Sequence, residues 1–266
     1  MTAADGVLGH LAARAAEGRL AILVGAGLSM GAGYPGWGRL FAPLGQALGP
    51  AAGGTPLPDD LPALAEAYEA EYGRNSLVSH LRRELRRSLA YTEAHRALAA
   101  TGLKEILTTN YDVLLEEALQ DVAGPVDVVV RDSDLAYTAP ARPRLVKMCG
   151  DVLNPETLTV TRRDFAVYGA VKPRLAEHVR GLLETHELLV LGAGPSDPEF
   201  NMLWDLATAG LGEHKPVGWV LTADVSPLQQ RVALTRGLRT LPLDVTDDGV
   251  TRALARWLDG LSAAHA

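Results

Sequence analysis

Cysteine occurs once, at Cys149, in a chain of 266 residues. One thiol excludes an internal disulfide and any zinc site assembled from paired Cys-x-x-Cys motifs. Basic residues number 25 against 32 acidic ones, giving a net charge of −7, and only 4 of the chain's residues are lysine. With no basic block, the electrostatic footprint that nucleic acid requires is missing, and direct DNA or RNA binding is not expected. No run of about 18 apolar residues is there to span a bilayer. The opening Met1-Thr-Ala-Ala-Asp-Gly6 also lacks the basic-then-apolar pattern of a signal peptide. These absences lead to the expectation of a cytoplasmic protein without membrane contact. The length admits one large domain or two small ones, and 47% hydrophobic residues suffice for a large core. We expect a single domain over residues 1–266.

Apolar runs of strand length recur at Leu20–Val24, Glu105–Thr108, Val126–Val130, Arg144–Met148, Leu188–Leu191, Val217–Leu221 and Arg239–Leu243. Between many of them lie stretches with helical spacing, among them Asp112–Asp121, Pro173–Thr185 and Val250–Leu261. Continuous rather than alternating apolar strands suit a sheet covered on both faces. The expected fold is therefore α/β, a Rossmann-like, doubly wound, mostly parallel sheet with helices on both faces. Pro50–Asp60 has the composition of a loop, and Leu61–Ala100 that of helices, so residues of approximately 50–100 are expected to form a helical insert.

Directly behind the first apolar run stands a glycine loop, Gly25-Ala26-Gly27-Leu28-Ser29. A strand that ends in such a loop and turns into a helix can bring backbone N–H groups close to a phosphate. The third glycine of a G-x-G-x-x-G fingerprint is replaced by Met30. Taken alone, the loop is equally well a tight strand-to-helix turn.

Further segments shift that balance. With Gly25-Ala-Gly-Leu-Ser29 go Pro35-Gly-Trp37, Thr92-Glu-Ala-His95-Arg-Ala-Leu98, Thr108-Thr-Asn110-Tyr-Asp112, Lys147-Met-Cys-Gly150-Asp151 and Leu191-Gly-Ala-Gly-Pro-Ser196-Asp197-Pro198. In this order the chain resembles the sirtuin-like NAD-binding family, and in particular the bacterial branch without a zinc module whose members often destroy NAD during antiphage defence. The four-cysteine zinc module of the lysine deacylases is absent, so a peptide-binding cleft of that kind is not expected.

The resemblance implies roles residue by residue. Asn110 would orient water or the ribose, and Asp112 would contact the nicotinamide end. Gly25, Ala26, Gly27, Ser29, Pro35 and Trp37 would bind the dinucleotide, and Gly192 and Ser196 would approach its phosphates and adenosine ribose. Asp224, in Leu221-Thr-Ala-Asp224, is a candidate for the adenosine ribose hydroxyls. Thr109, Asn110 and Asp112 could equally cap the next helix, as could Ser196 and Asp197 the one after residue 198. His80, His95, His178 and His186 are read as structural.

The family's Lys-x-His-Gly pattern supplies a histidine that accepts a proton from a ribose hydroxyl, and here Cys149 holds that place. A histidine of pKa about 6.5 is poised as a base near neutrality, whereas a free thiol near 8.5 is mostly protonated. Cys149 could act as a thiolate if a positive field such as that of Lys147 lowered its pKa. It could equally be an inert residue packed beneath the pocket.

Three functions follow from the resemblance. The first is an NAD hydrolase that releases nicotinamide and ADP-ribose without a metal. The second is a catalytically weakened NAD or ADP-ribose sensor, and the third is ribosyl or ADP-ribosyl transfer to a small acceptor. The resemblance also implies a homo-oligomer and a defence-associated partner such as a helicase-like ATPase.

Overall fold

The computed structural model describes residues 3–49, 51–53, 56–58, 60–194, 197–209 and 217–265. Helix α1 (Ala3–Ala16) leads into strand β1 (Leu20–Val24). The short α2 (Ala26–Met30), α3 (Trp37–Leu48), α4 (Leu61–Tyr72), α5 (Arg74–Leu85) and α6 (Glu93–Ala100) precede β2 (Glu105–Thr108). Next come α7 (Leu114–Ala123), β3 (Asp127–Val129), β4 (Arg144–Lys147), α8 (Arg162–Ala166), α9 (Tyr168–Val171), α10 (Pro173–Thr185) and β5 (Glu187–Leu191). The last elements are α11 (Pro198–Thr208), β6 (Gly218–Thr222), α12 (Pro227–Thr235), β7 (Leu238–Pro242) and α13 (Val250–His265).

The strands form one 7-stranded sheet in the order β3-β4-β2-β1-β5-β6-β7. Every adjacent pair is parallel, and in the centre Ile22 lies between Ile106 and Leu189. The expected mostly parallel, doubly wound α/β fold is thus observed, each strand within a residue or two of its apolar run.

Side-chain alternation along the strands explains why those runs are continuous. Ala21, Leu23, Leu107, Val146 and Val190 face one way and pack with Phe41, Leu44, Leu77, Leu81, Leu175 and Phe200, from α3, α5, α10 and α11. Leu20, Ile22, Val24, Ile106, Leu145 and Leu189 face the other way, against Leu11, Leu98, Leu115, Leu254 and Leu258 of α1, α6, α7 and α13. Both faces are buried, so neither set can be polar. Burial of each such side chain contributes roughly 1.5–3 kcal/mol relative to exposure.

Helix α10 illustrates the local logic. Pro173 opens it at a position where a missing N–H leaves no bond unmade. Buried Leu175, Val179 and Leu182 then recur on the face turned to the core. The helical stretch Leu61–Ala100 resolves into two groups. Helices α4 and α5, separated by Gly73 at φ 82, pack on the α3 side, whereas α6 packs with α7 and α13 on the opposite side of the sheet.

Strand β1 is joined on one side to β2 and on the other to β5, which the chain reaches only after completing β3 and β4. The connections leaving β1 and β5 therefore diverge at the carboxyl edge of the sheet, where doubly wound folds form their ligand crevices.

Candidate functional site at the carboxyl edge of the sheet

The loops after β1 and β5 touch backbone to backbone. Gly25 donates its N–H to Leu191 O at 2.8 Å and Gly27 to Gly192 O at 2.8 Å. A Cβ on Gly27 would stand 2.8 Å from Gly192 Cα, and one on Gly25 only 2.6 Å from Ala193 Cβ. These glycines are required by the loop-to-loop contact. Their N–H groups are already bonded, so a phosphate at this loop would have to be met by other amides. Gly27 and Gly192 nevertheless form part of the walls of the clefts described below.

The Thr108–Asp112 segment, which continues from β2, lies against the same glycine loop. Thr108 Oγ1 donates to Val24 O at 2.9 Å and accepts from the Asn110 N–H at 3.0 Å, which fixes the turn. Asn110 is buried, and its Nδ2 donates to Gly25 O at 3.2 Å and Ser29 Oγ at 3.1 Å. The carbonyl of Gly25 can only accept, so the amide orientation is set and Oδ1 faces the other way. That oxygen is buried without a hydrogen-bond partner among the described residues. Asp112, also buried, accepts from the Leu114 N–H at 3.1 Å. Burial raises its pKa, opposed by the Leu114 N–H, Ser29 and Lys147. A cleft of about 20 Å³ opens beside both residues, lined also by Ala26, Ser29, Tyr34, Pro35 and Trp37. It has room for about one water.

The loop after β4 supports this cleft from below. Lys147 is fully buried, and its ammonium group donates to Asp112 O at 2.7 Å, Glu116 Oε1 at 2.5 Å and Asp151 Oδ2 at 2.6 Å. Every ammonium proton has an acceptor, so Lys147 ties β4 to the Asn110–Asp112 turn rather than facing a ligand. Gly150 has φ +88, and a Cβ there would meet Thr157 O at 2.3 Å. A second buried lysine, Lys172, holds the same loop through Met148 O, Thr157 O and Thr159 Oγ1. Cys149 is wholly buried, and burial pushes its thiol up to about 12, against the opposing field of Lys172. A thiolate at that position is strongly disfavoured, which leaves the packed, inert thiol as the reading that fits.

Two larger clefts adjoin the first. One of about 650 Å³ is lined by Ala26, Gly27, Trp37, Gly192, Asp197 and Glu199, among others. The next, of about 210 Å³, runs past Gly27, Gly192, Gly194, Thr222, Ala223 and Val250. Shared walls at Ala26 and Trp37, then at Gly27 and Gly192, make one groove from Asn110 across β1 and β5 to the end of β6. Its size is that of a small-molecule or cofactor site.

Most of the residues singled out in the sequence come together along this groove: Ala26, Gly27, Ser29, Pro35, Trp37, Asn110, Asp112 and Gly192. Gly25 contributes its carbonyl to Asn110. Asp224 is exposed beyond Ala223 and lines none of these three clefts, while Ser196 lies outside the described residues. Cys149 lies beneath the site and lines none of the clefts. His95 is a buried residue of α6 whose Nδ1 accepts from the Thr92 N–H at 3.2 Å. Two groove carboxylates escaped the sequence reading as ligand groups. Asp197 accepts from the Gly194 N–H at 2.5 Å, and Glu199 is buried with Oε2 unpartnered. Asp197 stands in the Ser196-Asp197-Pro198 motif at the N-cap of α11, whereas the only sequence signal of Glu199 is its place in that helix's first turn, which reads equally as capping. Among the described residues no group of three or more His, Cys, Asp or Glu side chains is arranged to hold a metal ion. No helix among them is long and apolar enough to cross a membrane.

Comparison with known proteins adds a family. The family described as SIR2-like domain matches residues 104–241, which include the Asn110, Lys147 and Gly192 segments. The chain is 32% identical over 190 residues to the NAD(+) hydrolase ThsA of Bacillus cereus (strain MSX-D12), covering 70% of this chain and 39% of that protein. The same holds for the NAD(+) hydrolase ThsA of Enterococcus faecium, at 32% identity over 191 residues, again 70% and 39%. Defense-associated sirtuin 2 of Bacillus subtilis is 24% identical over 234 residues, covering 85% of this chain and 23% of its own length. The chain thus spans 39% of the length of these two ThsA relatives.

Proposed function

The chain belongs to the SIR2-like family, and from that premise we propose that it hydrolyses NAD, breaking the nicotinamide–ribose bond to release nicotinamide and ADP-ribose. The observation that carries this reading is the state of Asn110. Its amide nitrogen is pinned by Gly25 O and Ser29 Oγ, and its buried Oδ1 is left without a partner beside a cleft the size of a water. A buried carbonyl oxygen of this kind requires a donor. Water or a ribose hydroxyl supplies one, and a water so held is oriented for attack on the anomeric carbon as the C–N bond loosens. Asp112, next to it, would set its carboxyl group near the ribosyl centre on which positive charge develops as nicotinamide departs. Trp37 walls both this cleft and the adjoining 650 Å³ one, where it offers an aromatic face to the nicotinamide ring. The diphosphate and adenosine would follow the groove past Gly192 toward Thr222.

The names of the relatives, NAD(+) hydrolase and defence-associated sirtuin, agree with this reading and extend it to a role in defence. In that role the chain would act as one NAD-binding unit that self-associates. A second reading is favoured by one observation: Cys149, buried and protonated, cannot serve as the family's base. On that reading the chain binds NAD or ADP-ribose without turning it over. Calorimetric titration with ADP-ribose beside a nicotinamide-release assay separates the two. The hydrolase reading expects both binding and release, with release lost in Asn110→Ala while ADP-ribose binding remains. Tight binding with no release would establish the sensor instead.

A further inference from the structure

The hydrolase reading leaves the site without an identified proton acceptor, and the groove contains an unassigned carboxylate. Glu199 sits in the first turn of α11 and is 3% exposed, and its Oε2 has no hydrogen-bond partner among the described residues. It lines the 650 Å³ cleft with Ala26 and Trp37, the same two residues that wall the Asn110 cleft. A glutamate in a helix's first turn is ordinarily an exposed residue that interacts with the helix dipole. That role does not explain why this one is withdrawn from solvent, nor why one of its oxygens is left without a hydrogen-bond partner. Desolvating a carboxylate costs several kcal/mol unless it is paired. A site that keeps one unpaired fits a group whose partner arrives with the ligand.

We propose that Glu199 is the proton acceptor of this site, taking the proton of the attacking water, in a chain where Cys149 holds the place of the family's histidine. The inference rests on the hydrolase reading above. In the step, the water oxygen forms a bond to the ribose anomeric carbon while the carbon–nitrogen bond breaks. The electron pair of that bond goes to the ring nitrogen, and neutral nicotinamide leaves. The water proton passes to Glu199 Oε2 and from there to solvent.

The electrostatic surroundings suit that task. Burial pushes the Glu199 carboxyl up to about 7, helped by the charges of Asp197 and Asp60 and opposed by its own backbone N–H. Such a group is a competent base at neutral pH. Among the described residues the other ionisable groups near it are Asp197 before α11, Asp60 before α4, Arg39 of α3 on the same cleft, and Cys149 and Tyr111 on the loops after β4 and β2. Burial holds Cys149 and Tyr111 protonated throughout the neutral range, so neither produces a limb in that window.

The test follows nicotinamide release by the whole chain, by Glu199→Gln and by Glu199→Asp from about pH 5.5 to about pH 8.5. Wild-type kcat/KM should rise through about pH 7 as the carboxylate forms. Glu199→Gln should lower kcat by about 100-fold or more and flatten that limb, with ADP-ribose affinity changed less than about threefold. Glu199→Asp, which keeps a carboxylate, should restore a limb and part of the rate. An active wild type whose rate and limb survive in Glu199→Gln overturns the inference and leaves the hydrolase reading standing. A wild type that releases no nicotinamide overturns both. Carbon-13 titration of glutamate carboxyls in the wild type supplies a check that no variant's folding can confuse. The resonance absent from Glu199→Gln should titrate near neutrality and move on addition of ADP-ribose. A Glu199 signal that titrates in the ordinary range of about 4 and ignores ADP-ribose also overturns the inference.

Discussion

Thiol labelling of Cys149 tests the account at the point where this chain departs from its family. Burial raises the thiol from its ordinary value to about 12, so at neutral pH the folded protein holds at least about a thousandfold less thiolate than an exposed cysteine of pKa about 8.5. Only the thiolate attacks a disulfide reagent. The alternative route, through transient unfolding, is slower still, because a stability of about 5–15 kcal/mol keeps the open fraction below about one in a thousand. With an aromatic disulfide reagent at mildly alkaline pH, the native chain should react at least about a thousandfold more slowly than the same chain in denaturant. Cys149→Ala should then keep its nicotinamide release within about threefold, at a stability cost of about 1–2 kcal/mol for the small void it leaves. Native labelling within about tenfold of the denatured rate would refute the buried, inert thiol. So would loss of turnover in a folded Cys149→Ala protein, and either result would return the cysteine to the chemistry.

His95 makes stability depend on pH. Its Nδ1 accepts the Thr92 N–H, and burial lowers its pKa from 6.5 to about 4. The unfolded chain therefore binds the extra proton first, and stability should fall by about 3 kcal/mol as pH drops from about 6.5 to about 4. Urea unfolding of wild type and His95→Gln across that range measures it, and equal slopes for the two would contradict the assignment. Lys147→Met strands Glu116 and Asp151 in the interior and should cost about 3–5 kcal/mol, or roughly 6–10 °C in Tm. An unchanged Tm would mean that the ammonium is dispensable. Gly27→Ala forces a Cβ to within 2.8 Å of Gly192 backbone, costs about 1–3 kcal/mol and parts the two loops. ADP-ribose affinity should drop more than about tenfold, and calorimetry finding no change would argue against a ligand path over β1 and β5.

The sheet was legible because burial on both faces leaves a strand no polar position. Leu20–Val24 and Leu188–Leu191 are uninterrupted for that reason, and both appear as strands where the pattern puts them. Helix α1 escaped because Ala3–Ala16 is alanine-rich, with Gly6, Gly9 and His10 interspersed rather than a strong apolar stripe. The stretch Leu61–Ala100 reads as one helical block, since composition cannot reveal that α6 crosses to the other face of the sheet. In the site, the motifs brought Asn110, Asp112 and the glycine loops to notice, yet two features needed coordinates. The N–H groups of Gly25 and Gly27 bond to the β5 loop, a contact between residues far apart in sequence. Glu199 carries no motif, and only its burial and its unpartnered oxygen distinguish it from a surface glutamate that begins a helix.

The most direct measurement is a time course of purified chain with NAD, resolving nicotinamide and ADP-ribose chromatographically, beside Asn110→Ala. The account predicts equal amounts of the two products from the wild type and a loss of at least about 100-fold in the variant, whose ADP-ribose binding persists. Release that continues undiminished without the Asn110 amide, or a wild type that binds NAD and leaves it intact, would contradict it.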